Sequence, residues 1–413
     1  MPTPPATPSE RPQPEAPADA GGGQALEVLL AFLRLGLTSF GGPVAHLGYF
    51  RTEFVERRRW LDDRTYSDLV ALCQFLPGPA SSQVGMALGL SRAGWAGALM
   101  AWLGFTLPSA LALIAFAYGI ARWGELAASG AVQGLKVAAV AVVAQAVWGM
   151  AKSLCPDRPR AGLAIFAALL TLALPSAIGQ LGAIVACGLI GWLLVRVPHQ
   201  QPAAHAGQRV SRGAGVAALT LLLLLLAGLP LIASATASPL WALVDGFYRA
   251  GALVFGGGHV VLPLLQATVV PGGAVSNADF LAGYGAAQAV PGPLFTFAAY
   301  LGTVAASPLQ GWAGGLVFLV VIFVPAFLLL VAAWPFWDEL RRRDAVQSAM
   351  AGVNAGVVGI LLSALYDPVW TSAIHGRAGF GVALAAFGLI VYARLSPVFV
   401  VPLSAAAGWL LLS

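Results

Sequence analysis

Charge is scarce in this sequence. Asp, Glu, Lys and Arg make up 9% of its 413 residues, against about 25% in soluble domains. A soluble fold needs more polar material than that to cover its surface, so a soluble enzyme, a nucleic-acid binder and a single-anchor receptor are excluded. Cysteine is nearly absent too. Cys73, Cys155 and Cys187 lie far apart, which leaves no disulfide framework and no metal spacing. Catalytic signatures are missing: there is no H-E-x-x-H zinc helix, no G-x-S-x-G elbow and no Walker A loop. The chain therefore reads as neither an enzyme nor a nucleotide-driven pump, and no cofactor is expected. No apolar leader is expected either, because residues 1–24 are rich in Pro and Ala and read as a disordered tail.

What is present is apolar. Hydrophobic residues make up 59% of the chain, and its mean hydropathy is +0.82. This composition predicts an all-α polytopic membrane protein, with lipid as its surroundings and room for about 12 to 14 membrane segments. Apolar runs fall at roughly 26–50, 66–90, 93–121, 131–151, 161–174, 177–195, 214–234, 240–270, 280–306, 310–335, 345–366, 378–393 and 397–412.

Four of these runs are interrupted. Gly41-Gly42 breaks the first and Gly256-Gly257-Gly258 breaks 240–270; Pro77-Gly78-Pro79 breaks 66–90 and Pro291-Gly292-Pro293 breaks 280–306. A Pro-Gly-Pro triplet cannot sit inside a regular helix, because it removes donors and clashes with the preceding turn. The breaks belong to an internal repeat. Phe32-Leu33-Arg34 and Gly36 answer to Phe247-Tyr248-Arg249 and Gly251 at an offset of 215, as does Phe40-Gly41-Gly42 to Phe255-Gly256-Gly257. Gln74 and the first triplet answer to Gln288 and the second at 214, and Gly94-Trp95-Ala96-Gly97 with Pro108 to Gly311-Trp312-Ala313-Gly314 with Pro325 at 217. Each half holds six segments, over 25–196 and 240–413, with a basic loop and one extra segment in 197–239. One extra crossing after an even number inverts the second half, so two inverted six-segment repeats are expected, as in many secondary transporters.

Arginine placement bears on topology. If all thirteen segments cross and the N-terminus is cytoplasmic, 12 basic residues lie inside and 7 outside. If the four broken segments re-enter instead, the split is 17 to 2, with Arg34, Lys136 and Arg249 inside apolar segments. The positive-inside rule favours the second arrangement, with nine crossings and a C-terminus on the far side. The Arg57-Arg58-Arg59 run then reads as a topology anchor, and Trp60 as an interfacial residue.

Broken backbone at membrane depth is tolerated only where protein or a water-filled cavity surrounds it. Helix N-termini at such breaks present free N–H groups and suit an anion. One helix restarts after Pro79 with Ala80-Ser81-Ser82-Gln83; its mate is Leu294-Phe295-Thr296 after Pro293. The alternative for both triplets is a packing kink. Arg34 and Arg249 are expected to be buried charges at matching positions, either forks for an oxyanion or chains that snorkel to the interface. Gln74 and Gln288 are anion donors or interhelical hydrogen-bond partners. His46 and His259, near the glycine breaks, are proton relays, anion donors or packing residues.

These residues carry a resemblance. Phe40-Gly41-Gly42-Pro43-Val44-Ala45-His46, the Arg59-Trp60-Leu61 step, Tyr66 and Leu72-Cys73-Gln74-Phe75-Leu76-Pro77-Gly78-Pro79 resemble the chromate ion transporter family in its long-chain, two-domain form. Phe255-Gly256-Gly257-Gly258-His259 and Gln288-Ala289-Val290-Pro291-Gly292-Pro293 repeat the pattern in the second half. The resemblance implies an inner-membrane protein of bacteria or archaea that exports chromate, with sulfate as the structural mimic and a homodimer as an assembly left open. Sulfate or another oxyanion as the substrate, and a channel in place of a carrier, remain open alternatives. Moving a dianion outward gains roughly 4.6 kcal/mol per 100 mV, so export needs no proton coupling in principle.

Overall fold

The computed structural model describes residues 21–39, 42–122, 130–174, 177–196, 210–255, 260–340 and 343–412. The expectations placed on residues 1–20, Gly41, Gly256, Gly257 and His259 lie outside the described residues. Among the described residues the secondary structure is entirely helical. The first part of the chain forms α1 (Gly21–Thr38), α2 (Gly42–Arg51) running into a π-helical turn (Thr52–Arg57), α3 (Asp63–Phe75), α4 (Ala80–Arg122), α5 (Gly130–Leu154), α6 (Arg158–Ala173) and α7 (Ala177–Leu194). A lone helix, α8 (Arg212–Thr236), follows. The second part forms α9 (Pro239–Leu253), α10 (Val261–Val269), α11 (Asn277–Ala289), a 3-10 turn (Leu294–Thr296) leading into α12 (Phe297–Val304), then α13 (Gly311–Ala333), α14 (Asp344–Ala364), α15 (Arg377–Val391) and α16 (Pro397–Leu411).

Among the described residues, five helices are long and apolar enough to cross a membrane: Ala80–Gly119, Gly130–Leu154, Arg212–Thr236, Gly311–Phe336 and Asp344–Asp367. Shorter apolar helices include Gly179–Leu194, Arg377–Val391 and Pro397–Leu411. The 15 residues of α15 or α16 rise only about 22 Å, less than the roughly 30 Å of a hydrocarbon core.

The interrupted segments fold back on themselves. Phe32 of α1 packs on Phe50 at 5.4 Å and on Phe54 at 4.9 Å, so α1 and α2 form a hairpin. Gly246 of α9 abuts Thr268 at the end of α10 in the same way. Tyr300 of α12 donates to the Asp279 carbonyl of α11 at 3.0 Å, which puts the second Pro-Gly-Pro triplet at a hairpin tip. α4 itself is two arms. Ala93 (φ −139°, ψ 27°) and Gly94 (φ 64°, ψ −153°) leave helical geometry, and a side chain on Gly89 would strike the Gly97 carbonyl. Residues eight apart on a straight helix are about 12 Å apart, so the arms 80–92 and 95–122 lie face to face. The end of α12 meets α13 likewise, through Gly302 and Gly314.

Local sequence sets these limits. Asp62 caps α3 by accepting the Thr65 N–H at 2.7 Å, and Ser276 caps α11 by accepting the Asp279 N–H at 3.0 Å. Both helices stop where a following proline forces extended backbone: Leu76 has ψ 149° and Val290 ψ 148°. The last helix of each part clasps the other part. Gly191 of α7 lies against Gly352 of α14, and Gly408 of α16 against Gly134 of α5, with no room for a β-carbon at any of the four.

The loop between α2 and α3 lies at the same end of the molecule as the start of α1. Glu27 accepts from Arg58 at 3.2 Å and from Arg92 at 3.0 Å. Trp60 is stacked on Phe54 at 4.5 Å and donates to Glu27 at 3.3 Å. The end of α13 joins this end through Trp337, which donates to Asp68 at 3.3 Å, and the start of α8 through the Arg212–Glu339 pair at 3.0 Å.

Candidate functional site

The two Pro-Gly-Pro tips meet the opposite part of the chain. Gly78, at φ +122°, donates its N–H to the carbonyl of Val254, the residue after α9, at 2.5 Å. Gly292, at φ +94°, donates to the carbonyl of Ser39, the residue after α1, at 2.9 Å. Ser39 and Val254 are themselves 215 apart. Each tip also rests on the proline-bearing helix across from it. A β-carbon on Gly78 would sit 3.2 Å from Cβ of Ala326, next to Pro325; one on Gly292 would sit 3.0 Å from Oγ of Ser109, next to Pro108. Positive φ and this closeness both require glycine.

The first tip is lined with polar groups. α4 starts at Ala80, and its first backbone acceptor is the Pro79 carbonyl, taken by Gln83 N–H at 2.9 Å. That leaves the amides of Ala80, Ser81 and Ser82 without an intrahelical acceptor. Gln83 uses its Nε2 to hold the turn, donating to the Pro77 carbonyl at 3.0 Å and the Ala326 carbonyl at 3.2 Å. His46 of α2 faces Ser81, Nδ1 to Oγ at 3.3 Å, and its ring meets the edge of Phe105 at 5.1 Å. The Phe105 carbonyl and Ser109 both flank Gly292. Ser109 donates to the Thr106 carbonyl at 3.1 Å. Ser39 and Ser109 meet Gly292, Gln83 meets Ala326 beside Gly78, and His46 joins Ser81 to Phe105; with Ser82 and Thr106, their chain neighbours, each of these polar residues is 3% exposed or less.

Within this cluster Ser39 Oγ, His46 Nε2, Ser82 Oγ, Gln83 Oε1 and Thr106 Oγ1 have no hydrogen-bond partner among the described residues. A buried unsatisfied polar group costs about 1–3 kcal/mol, so five of them in one neighbourhood mark a place prepared for a polar guest or for water. A cleft of about 50 Å³ adjoins it, lined by Gly42, Pro43, Gln145, Gln288, Gly292 and Pro397 among others. One water needs about 10–15 Å³. Gln288 is half-buried there, and its Nε2 is unpartnered.

Other expected residues are placed differently. Arg34 is exposed rather than buried. α1 turns Val28, Ala31, Phe32 and Leu35 into the core, and Arg34 stands on the opposite face with Leu30 and Leu37. Arg249 is half-buried and donates to Asp245 at 2.8 Å, one turn back on α9. Gln74 is exposed, on the side of α3 away from Cys73. Thr296 is buried, but its hydroxyl is occupied by the Pro293 carbonyl at 2.7 Å. Pro77, Pro79, Pro291 and Pro293 frame the two turns. Ser39, Thr106 and Ser109 were not expected, and Gln83 was expected only as part of the first turn after Pro79. The signal for Thr106 and Ser109 was in the sequence: two hydroxyls bracketing Pro108 in an otherwise apolar run.

Known proteins are similar to this chain over most of its length. A chromate transport protein of Pseudomonas aeruginosa is 29% identical over 405 residues, covering 93% of this chain and 92% of its own length. A chromate transport protein of Cupriavidus metallidurans is 26% identical over 347 residues, 82% of this chain and 81% of its own. An uncharacterized transporter of Methanocaldococcus jannaschii is 24% identical over 404 residues, 94% of each chain. No solved structure matches. The family model for the chromate transporter matches residues 26–192 and 241–409, and with helices apolar enough to span a bilayer on both sides of the join, this chain belongs to the chromate transporter family.

Proposed function

We propose that the protein is a multi-pass secondary transporter that exports chromate, a tetrahedral oxyanion, across the bacterial inner membrane and so confers chromate resistance. Residues 25–196 and 240–413 act as inverted repeats, with α8 as the extra crossing that inverts the second. The observation that carries this reading is the reciprocal seating of the tips, Gly78 on Val254 and Gly292 on Ser39. A broken helix whose tip is held by the opposite repeat is the arrangement that binds substrate at mid-membrane in transporters built from inverted halves. Rocking one half against the other changes which side the crossing point faces. Gly41, Gly256, Gly257 and His259 belong to the same glycine-rich tips by sequence. Arg34 and Arg249 enter this reading as charges near the path rather than as first contacts.

The end that carries Arg51, Arg57, Arg58, Arg92 and Arg212 is assigned to the cytoplasm, with the N-terminus, by the positive-inside rule. The C-terminus is then periplasmic. From that side an inside-negative potential drives a dianion out, at roughly 4.6 kcal/mol per 100 mV. Sulfate, with the same charge and shape, is the expected competitor.

Uptake of labelled chromate into everted vesicles tests the reading. We expect saturable, potential-stimulated uptake that unlabelled sulfate inhibits. Uptake no greater than in vesicles lacking the protein would refute it. Sidedness is tested with Thr52→Cys in a background lacking Cys73, Cys155 and Cys187, which should resist an impermeant thiol reagent in intact cells.

A further inference from the structure

Symmetry in the frame makes a difference in the lining conspicuous. At the repeat offsets of 215, 214 and 217, Ser39 corresponds to Val254, His46 to Val261, Ser81 to Phe295, Gln83 to Phe297, Thr106 to Phe323 and Ser109 to Ala326. In every one of these pairs the first half supplies a polar side chain and the second an apolar one. Ser82 and Thr296 form a pair that is polar on both sides, but the Thr296 hydroxyl is already bonded to Pro293 while Ser82 Oγ is free. The corresponding positions of the second half are filled instead by Phe295, Phe297 and Phe323, all buried. Phe295 packs on Phe323 at 5.5 Å.

We infer that the oxyanion is held at a single position per chain, off the pseudo-symmetry axis, by neutral donors of the first half. The donors are the hydroxyls of Ser39, Ser82 and Thr106, the ring N–H of His46 and the free amides opening α4. This inference rests on the transporter reading above and narrows it to one crossing point and one ligand chemistry. Several neutral donors and a helix N-terminus suit a dianion, because each hydrogen bond to charge is strong. They also add no fixed positive charge that would hold the ion too tightly to release. The first arm of α4, thirteen residues from Ala80 to Arg92, is long enough for its N-terminal field to count. Gly292 closes the position from the opposite half, touching both Ser109 and the adjoining cleft. Separation of the tips along the Gly292–Ser39 bond would open the donors to that cleft. The aromatic cluster of the second half then serves as the pivot, which needs packing and no ligand.

The test is equilibrium binding of labelled chromate to the purified full-length protein in liposomes, with vesicle transport measured alongside. Thr106→Val removes one hydroxyl at nearly constant shape, and Ser82→Ala removes another from the first turn of α4. Each should weaken half-saturation about tenfold or more, as expected for a lost hydrogen bond to a charged ligand. Thr106→Ser keeps the hydroxyl and should weaken half-saturation less than Thr106→Val. Thr303→Val removes a second-half hydroxyl already bonded to the Ala299 carbonyl at 2.7 Å, and it should change nothing. If Thr106→Val does not accumulate, Ser82→Ala carries the same comparison. Saturable chromate binding with unchanged half-saturation in the Thr106→Val and Ser82→Ala variants would overturn the inference while leaving the transporter reading intact. Absence of saturable binding and transport in the unaltered protein would overturn both.

Discussion

On α1 the glycine that admits a neighbour's backbone is Gly36, lying against the carbonyls of Gly104 and Phe105; on α9 it is Gly251, lying against the carbonyl of Ile322. Phe105 and Ile322 are 217 apart, and Gly36 and Gly251 are 215 apart. The glycines that clasp α7 to α14 and α16 to α5 are spaced similarly, Gly191 and Gly408 by 217 and Gly134 and Gly352 by 218. Around these matching approaches the surroundings diverge. The first hairpin is tied at its base by Glu27, Glu53, Arg57, Arg58 and Arg92. The second hairpin pair is packed by rings, with Phe280 on Phe297 at 5.1 Å and Phe297 stacked on Tyr300 at 6.0 Å. Backbone approach is therefore what the two halves share, and side-chain chemistry is where they have separated. A carrier needs both halves to move as mates, whereas one bound ion needs only one lining.

The largest effect should come from the shared frame and should be equal in both halves. Leu at Gly36 or at Gly251 would force a side chain into a backbone carbonyl with no flexible atom to yield. Overpacking of this kind costs about 1–3 kcal/mol, and more where backbone must shift. Both variants should lose thermal stability by similar amounts in detergent-solubilised protein. A loss confined to one would mean that the matched contacts do not share the load.

Much of this frame was legible in the sequence. The breaks at Gly42, Gly78 and Gly292 have the positive φ that their glycines suggest. The division between the apolar runs 66–90 and 93–121 falls near the fold-back at Ala93 and Gly94. What sequence spacing did not carry was orientation and long-range contact. A charge inside an apolar helix reads as buried, yet α1 is apolar on its exposed face too, so Arg34 sits among leucines that face outward. A membrane protein lacks the polar outer stripe by which helical faces are usually told apart. Likewise, nothing local to Ser109 says that a tip 183 residues away will rest on it.

A smaller effect is expected from the ion-pair base, and only in the first half. Glu53 accepts from Arg58 at 2.6 Å and from Arg57 at 2.9 Å. Burial raises its carboxyl, but the bonds from Arg58 and Arg57 outweigh it and hold the group below its ordinary value of 4.5. A carboxylate with a lowered folded value contributes stability that is fully present above its ordinary value. That contribution is lost as the pH falls through the lowered one. Glu53→Gln should cost about 1–2 kcal/mol at neutral pH, between exposed-pair and buried-pair behaviour. It should also flatten the acid limb of a melting-temperature profile. An unchanged acid limb in Glu53→Gln would show that the base of the first hairpin is held by Phe32, Phe50, Phe54 and Trp60 alone.

The smallest effects should come from the two arginines, and they sharpen the comparison most. Arg34 and Arg249 hold matching places in the sequence but not in the structure. Arg34 is exposed on the leucine-lined face of α1. Arg249 shares its charge with Asp245, whose counterpart at the offset of 215 is Leu30. Lysine keeps the charge and the reach of arginine but loses its fork. At Arg34 that fork meets no carboxylate or carbonyl among the described residues, so Arg34→Lys should leave chromate half-saturation and stability as they are. At Arg249 a helical pair one turn apart is lost in geometry but not in charge, a matter of about 0.3–0.5 kcal/mol. Arg249→Lys should therefore lower the melting temperature slightly and leave half-saturation alone. A tenfold weakening in either variant would bring an arginine fork into contact with the ion. Weakening in both would restore the symmetric site that the matched sequence positions first suggested, and the uneven lining of the two tips would then have to serve release rather than binding.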